Sequence, residues 1–368
     1  GVAAALVLVG LSACAVLQHP TFGKLPEGAR MAAIQASPNY RDGAFQNAIT
    51  TPTSTDGTPF AVAVVRGLFE PRLPTIRPAT ALPAVKTDLR SLPADQDTVV
   101  WLGHSSYYVQ LGGRRILVDP VLSGNAAPFP GMVKAFDGTT IYTVADMPEI
   151  DYLLITHDHY DHLDHPTIRA LVPKTRWAVA GLGIGAHLEH WGFPADRIRE
   201  GDWFDAFRID PELAVHVLPA RHYSGRTFRR NQALWVGFAL EANGRRLFFG
   251  GDSGFGPHLA EIASRFDGFD LAVLDAGQYN ARWANIHMNP EEAAQAAEIL
   301  GAKALLPAHV GRFALARHAW DEPFDRVLAA SRGRTYRLLT PRIGEPVRLG
   351  SKQQFDAWWK PLGDPDPR

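Results

Sequence analysis

The sequence predicts an α+β protein built in four layers, two β-sheets each covered by helices, behind a Pro-rich N-terminal extension. Three observations predict it. Short strands separated by Gly-containing turns begin abruptly at Thr98. Further strands and helical stretches alternate from there to about Pro307. The 368 residues carry 46% apolar and 20% charged side chains, the values of a globular chain with room for one large α/β domain and an appendage. Antiparallel strands with helices inserted in both halves imply two covered sheets, although periodicity by itself also fits other mixed α/β arrangements. With 37 basic against 38 acidic residues the net charge is -1, so the chain offers no broad basic surface for nucleic acid. Its one cysteine excludes a disulfide framework and every multi-cysteine metal site, which leaves the 14 histidines and the carboxylates as metal ligands.

Residues 1–13 open an uncharged run that extends to Leu17. Its length sits at the short limit for a spanning helix, about 17 to 25 residues, and it is similar to the apolar core of a signal peptide. The tetrad Leu11-Ser12-Ala13-Cys14 resembles the bacterial lipobox, where cleavage before the cysteine leaves that residue to carry lipid. Ala15 follows it. In Gram-negative lipoproteins a residue other than Asp there implies the outer membrane, on its periplasmic side. An uncleaved anchor helix is the alternative. Residues 14–97 form the extension, with ten prolines between His19 and Asp97 and a turn-rich stretch from Thr50 to Gly57. Such a segment is expected to wrap the main body or tether it to the membrane.

The main domain is expected over residues 98–350 and a C-terminal tail over 351–368. Thr98 to Leu102, Ser106 to Gln110 and Arg115 to Asp119 read as a strand meander, with Gly112-Gly113 as a hairpin signal. Further strands are expected at Tyr152 to Thr156, Arg176 to Ala180, Ala214 to Leu218, Leu234 to Glu241, Arg246 to Gly250, Leu271 to Asp275 and Ala304 to Pro307. The best-marked helix starts at Asn289, a cap residue followed by Pro290, Glu291 and Glu292, and runs through alanines to Leu300. The loop Gly181-Leu182-Gly183-Ile184-Gly185 follows a strand, but its spacing does not fit a dinucleotide fingerprint.

At the end of the strand Tyr152 to Thr156 stands His157-Asp158-His159-Tyr160-Asp161-His162. Three histidines and two further ionisable acids in six residues are not a packing pattern. On leaving a strand, residues 157 and 159 can face one side while 161 and 162 close over a neighbouring point, so the spacing can serve two metals. Neutral imidazoles and carboxylates are ordinary ligands of catalytic zinc. They also accept iron and manganese. No G-x-S-x-G elbow or other triad signal competes.

The motif matches H-x-H-x-D-H, by which the sequence resembles the metallo-β-lactamase superfamily. That resemblance implies a four-layer αββα sandwich, a water nucleophile and two Zn2+ ions per chain. His157, His159 and His222 would hold one ion, Asp161, His162 and His309 the other, with Asp252 bridging. Within the superfamily the chain is similar to N-acylphosphatidylethanolamine-hydrolysing phospholipase D and its bacterial relatives over roughly Val99 to Arg317. The blocks that carry this are Trp101 to Ser106, Asp119 to Val121, His157 to Asp164, Gly251 to Phe255, Gly277 to Tyr279 with Arg282-Trp283, His287 to Ala293, and His309 to Ala316. The implied activity is zinc-dependent phosphodiester cleavage of a membrane phospholipid, giving N-acylethanolamine and phosphatidic acid. A lactone, thioester or β-lactam hydrolase on the same dinuclear centre, or a non-catalytic surface lipoprotein, are the alternatives.

The resemblance also implies catalytic roles for Asp161, Asp252, Tyr160 and His287. Tyr160 can donate its hydroxyl to a substrate oxygen, or serve as a buried wedge. His287 can orient substrate or supply a proton, or belong only to the helix cap. His104 and Asp119 can hold metal ligands from behind, and for His104 a plain hydrogen-bonded core position is equally open. Arg226, Arg229 and Arg230 can meet phosphate or lipid headgroups, or line a solvated loop.

Overall fold

In the computed structural model, which describes residues 18–360, the proline-rich extension lies along the main body. It contributes a helix α1 (Gly28–Ala36), a small hairpin β1 (Tyr40–Arg41) and β2 (Ala44–Phe45), and a helix α2 (Phe60–Phe69). Helix α1 is Ala-rich and buries only Ile34. The backbone of the extension is tied to distant segments, with Phe45 N donating to Asn231 O, Leu82 N to Asp137 O and Val85 N to Ile343 O, each at 2.8 Å. The expected anchor, residues 1–13 and Cys14, falls outside the described residues. Among the described residues no helix is long and apolar enough to cross a membrane.

Two seven-stranded sheets follow. The first holds β3 (Thr98–Gly103), β4 (Ser106–Leu111), β5 (Arg114–Val118), β6 (Ile150–Ile155), β7 (Thr175–Gly181) and β8 (Ile198–Gly201). The second holds β9 (Ala206–Asp210), β10 (Leu213–Pro219), β11 (Val236–Ala242), β12 (Arg245–Phe249), β13 (Leu271–Asp275), β14 (Ala304–Ala308) and β15 (Arg337–Leu338). The last strand, β16 (Pro346–Arg348), returns to the first sheet beside β3. In each sheet an antiparallel meander continues into parallel strands: β3-β4-β5 into β6-β7-β8, and β10-β11-β12 into β13-β14-β15.

Helices α3 (His165–Leu171) and α4 (Gly185–His190) cover the first sheet, and α5 (His258–Arg265), α6 (Pro290–Ile299) and α7 (Glu322–Ala330) the second. The main core lies between the sheets, where Trp101, Tyr107 and Val109 meet Val215, Trp235, Phe238 and Phe249. Each such large side chain contributes roughly 1.5–3 kcal/mol by leaving water. Strands β3 and β4 are buried along their whole length, because both sheet faces are covered. At Asn289 the expected cap is a full capping box: the Asn289 side chain accepts from Glu292 N at 2.9 Å, and Glu292 accepts from Asn289 N at 3.0 Å.

Two boundaries differ from expectation. The strands β8, β9, β15 and β16 have no sequence signal, being edge or near-edge strands of two to five residues. The tail expected from residue 351 is part of the body as far as Lys360: Trp359 is buried, stacks on Phe324 and donates to Asp325 at 2.6 Å.

Candidate metal centre

The strands β5 and β6 of one sheet and β10, β12, β13 and β14 of the other run so that their C-terminal ends reach a common rim. Asp119 follows β5, His157 follows β6, His222 follows β10, Asp252 follows β12, Asp275 ends β13 and His309 follows β14. The rim therefore collects ligands that lie up to 152 residues apart, from His157 to His309. Close approach is needed to seat the last of them: a Cβ on Gly277 would fall 1.6 Å from the His309 carbonyl oxygen. Three non-glycine residues at the rim, His104, Asp119 and His309, have positive φ of 56°, 43° and 65°. Such strained backbone persists where the surrounding structure holds it.

The donor atoms form two clusters that share Asp252. In the first, His159 Nδ1 lies 2.9 Å from His157 Nε2 and 3.2 Å from His222 Nε2, while Asp252 Oδ2 is 3.7 Å from both of those Nε2 atoms. A tetrahedron with bonds of about 2.0–2.1 Å has edges near ~3.3 Å, so these spacings suit one ion. In the second, His162 Nε2 lies 3.3 Å from Asp161 Oδ2 and 3.1 Å from Asp252 Oδ2; His309 Nδ1 lies 3.8 Å from Asp161 Oδ2 and 3.1 Å from Asp252 Oδ1. His162 Nε2 and Asp252 Oδ1 are buried without a hydrogen-bond partner. Unpartnered donor atoms at this depth are costly unless something else satisfies them. A divalent ion bound between His162, His309 and Asp252 would satisfy both atoms.

The outer ring nitrogens are held by oxygens, which aims the inner ones at the clusters. His162 donates from Nδ1 to Asp119 Oδ2 at 2.8 Å, and His222 from Nδ1 to the Ile286 carbonyl at 2.9 Å. His157 Nδ1 lies 3.0 Å from Thr156 Oγ1, whose own hydrogen goes to Asp119 at 2.6 Å. Asp119 thus orients two rings. His104, fully buried, donates from Nε2 to Asp161 Oδ2 at 2.8 Å. Burial together with neighbouring imidazoles holds His157 and His222 well below the ordinary histidine range, and burial takes His159 down to about 4. These rings are neutral, as ligation requires. Burial also raises Asp252 to about 6. At His162 burial opposes charge, but Asp252, Asp161 and Asp119 outweigh it and raise the imidazole well above its usual value. Without a cation the carboxylates draw a proton onto that ring.

The seven sequence-predicted ligands are therefore brought together, and His287 joins them. Its ring stacks on His309 at 5.0 Å and its Nδ1 donates to Asp275 at 2.7 Å. Beside it opens a pocket of about 370 Å³, lined by Tyr279, Asn280, Asn289, Glu292, His318 and Arg326 among others. A wider groove of about 760 Å³ between α1 and α4 lies away from the rim. Tyr160 is placed differently from a substrate-facing donor: its hydroxyl donates to the Arg226 carbonyl at 2.6 Å, so a substrate oxygen would have to displace that bond. Arg226 is a correction to the headgroup reading, being 6% exposed with its guanidinium spent on backbone carbonyls. In the loop Gly181 to Gly185, the amides of Gly183 and Gly185 donate to the Glu200 carboxylate at 2.8 and 2.7 Å, so the protein's own acid fills that turn.

Sequence reasoning missed Thr156, Asp275 and Asn47. Asp275 carries a usable signal, an acid closing an apolar strand at the ligand rim. Asn47 carries none, yet its side chain brackets the His222 backbone, accepting from N at 3.1 Å and donating to O at 2.8 Å.

Residues 114–310 match the family described as beta-lactamase superfamily domain. An uncharacterized protein of Mycobacterium tuberculosis is 38% identical over 341 residues, 90% of this chain and 91% of its own. The outer membrane protein RomA of Klebsiella pneumoniae is 50% identical over 101 residues, 27% of this chain and 76% of its own. N-acyl-phosphatidylethanolamine-hydrolyzing phospholipase D 1 of Caenorhabditis elegans is 29% identical over 246 residues, 62% of this chain and 67% of its own. Among solved structures, Igni18, a metallo hydrolase of the archaeon Ignicoccus hospitalis, shares the fold with a TM-score of 0.53 at 21% identity, covering 68% of this chain and 97% of its own.

Proposed function

The chain belongs to the β-lactamase superfamily of metal-dependent hydrolases, and from that premise we propose that it is a dinuclear zinc phosphodiesterase acting on membrane N-acylphosphatidylethanolamine. The observation that carries the proposal is a pair of donor clusters, His157, His159 and His222 in one and Asp161, His162 and His309 in the other, with Asp252 within 3.7 Å of His157 and His222 and 3.1 Å of His162 and His309. His157, His159, His222, Asp161, His162, His309 and Asp252 would hold two ions, which would supply Lewis acidity toward a water and the phosphate oxygens. The protein's own residues do the rest. Asp119 and His104 fix the rings and the carboxylate that face the clusters. His287, held by Asp275, is the proton donor to the departing alcohol, and the pocket beside it receives that alcohol. Water attacks phosphorus, the bond to the ethanolamine oxygen breaks, and the products are phosphatidic acid and N-acylethanolamine.

A lipid substrate is supported by the activity in the name of the nematode relative. It is also supported by exposed apolar side chains on segments that frame the rim. Ile49 lies two residues beyond Asn47, Phe228 two beyond Arg226, and Leu315 on the loop that follows His309. The outer-membrane relative and the lipobox-like Leu11 to Cys14 support a lipoprotein held at the outer membrane, facing the periplasm. Metal analysis of the purified protein should return close to two equivalents of zinc. Hydrolysis in oxygen-18 water should place the label in phosphatidic acid, read by mass spectrometry; release of fatty acid, or activity confined to lactones or β-lactams, overturns the phospholipase reading. A fatty-acid probe should label the wild type and not Cys14→Ser.

A further inference from the structure

Between the ligands His157 and His162 and the helix that follows, the loop 158–163 carries three of the seven metal-directed side chains, so its backbone must be held. Arg226 does this from inside the protein. Its Nη1 donates to the carbonyls of Asp158 and Leu163, both at 2.7 Å, one on each side of the ligands at 159, 161 and 162. The guanidinium lies over the Tyr160 ring at 4.1 Å and the Trp191 ring at 5.2 Å. Reciprocal bonds close the clasp: Tyr160 donates to the Arg226 carbonyl, and Gly225 N donates to Asp158 Oδ1 at 2.7 Å.

The other edge of the same guanidinium faces the N-terminal extension. Nε and Nη2 donate to the Thr21 carbonyl at 3.0 and 2.6 Å. Thr21 is fixed by its neighbours, since Trp191 Nε1 donates to the Pro20 carbonyl at 2.7 Å and Lys24 N donates to His187 Nδ1 at 3.1 Å. Gly23 sits between them at φ 71°, where a Cβ would fall 2.0 Å from His187 Nδ1. The strap His19 to Lys24 therefore reaches the metal loop through one buried side chain.

We infer that Arg226 is a positioning residue through which the strap His19 to Lys24 sets the metal affinity of the loop 158–163. This rests on the metal-centre reading and not on the choice of substrate. A planar fork that satisfies three carbonyls fixes the loop backbone in a way that a lysine, with a single ammonium, does not. Supports behind metal ligands are typically worth about 10–100-fold in affinity. Segments that lead from the anchor end of the chain thus bear on the occupancy of the centre without supplying a ligand.

The test is zinc affinity of the full-length protein, measured by competition with a chromogenic chelator. Arg226→Met should weaken zinc by at least about tenfold, Arg226→Lys by less, and Gly23→Ala, which displaces the strap while leaving Arg226 in place, several-fold. Trp359→Phe, which removes the bond to Asp325 and touches neither the strap nor the loop 158–163, serves as the stability control. It should lower the melting temperature at unchanged zinc affinity. Wild-type affinity in both Arg226→Met and Gly23→Ala, or an equal loss in Trp359→Phe, overturns the inference alone. A wild type that holds no zinc overturns the metal-centre reading and this inference with it.

Discussion

The two donor clusters meet at one carboxylate yet differ in kind. The first is three imidazoles, His157, His159 and His222, and has no carboxylate of its own beyond the shared Asp252. The second contains Asp161, has Asp252 at 3.1 Å from both His162 and His309, and has Asp119 directly behind His162. In a buried setting each extra carboxylate attracts a cation by several kcal/mol before desolvation is counted, on the order of 4 kcal/mol at 4 Å with an effective dielectric of 20. An ion in the second cluster would therefore be held by charge, whereas one in the first would be held by the placement of neutral rings. That placement depends on backbone supports: the Ile286 carbonyl and Asn47 around His222, and Arg226 behind the loop that carries His159. The lesson is that equal ligand counts do not make equal sites.

The largest expected effect comes from removing what the clusters share. Asp252→Asn should drop zinc well below two equivalents and abolish turnover; a variant that keeps both ions and near-normal rates would break the bridging role. Next, the asymmetry predicts that His222→Ala retains one tightly held ion in the second cluster, while His309→Ala retains one that a chelator strips more readily. Equal chelator resistance of the two single-ion proteins would remove the distinction.

Smaller again, His287→Gln should cost about 10²–10⁴-fold in turnover, the usual range for a lost proton donor, while leaving both zinc equivalents in place. A loss of metal in that variant would move His287 from the chemistry into the ligand set. The smallest effect separates the centre from the fold beneath it. His258 is buried against Ser253, and burial with Arg221 takes its imidazole down to about 4. Its unfolded value is about 6.5, so the stability it contributes is present above that pH and is lost as pH falls toward 4, on the order of 3 kcal/mol in all. The difference in melting between wild type and His258→Gln should show this acid window whether or not the metal has been removed. A difference that vanishes in the metal-free protein would assign the window to the clusters instead.

What the sequence by itself determined is what neighbours along the chain can encode. The ten longer strands follow from apolar runs between turn residues, helix α6 from Asn289, Pro290 and Glu292, and the chemistry from three histidines and two acids within residues 157–162. His222, Asp252 and His309 were legible only as strand-end residues in the right order, because a single His or Asp after a strand has no pattern of its own. The edge strands β8, β15 and β16 left no signal, since two to four residues are too few to show periodicity, and β9, five residues long, buries none of its side chains and so carries no apolar run. The extension was legible as non-autonomous but not as a support: nothing in Thr21 or Asn47 announces contact with residues 205 and 175 positions away. Arg226 shows the same limit, for an arginine between Gly225 and Arg229 in sequence looks like part of a surface basic cluster. Only the tertiary structure buries it, because three backbone carbonyls from two segments, the loop 158–163 and the strap at Thr21, needed one shared donor, and that need exists only once the segments have met.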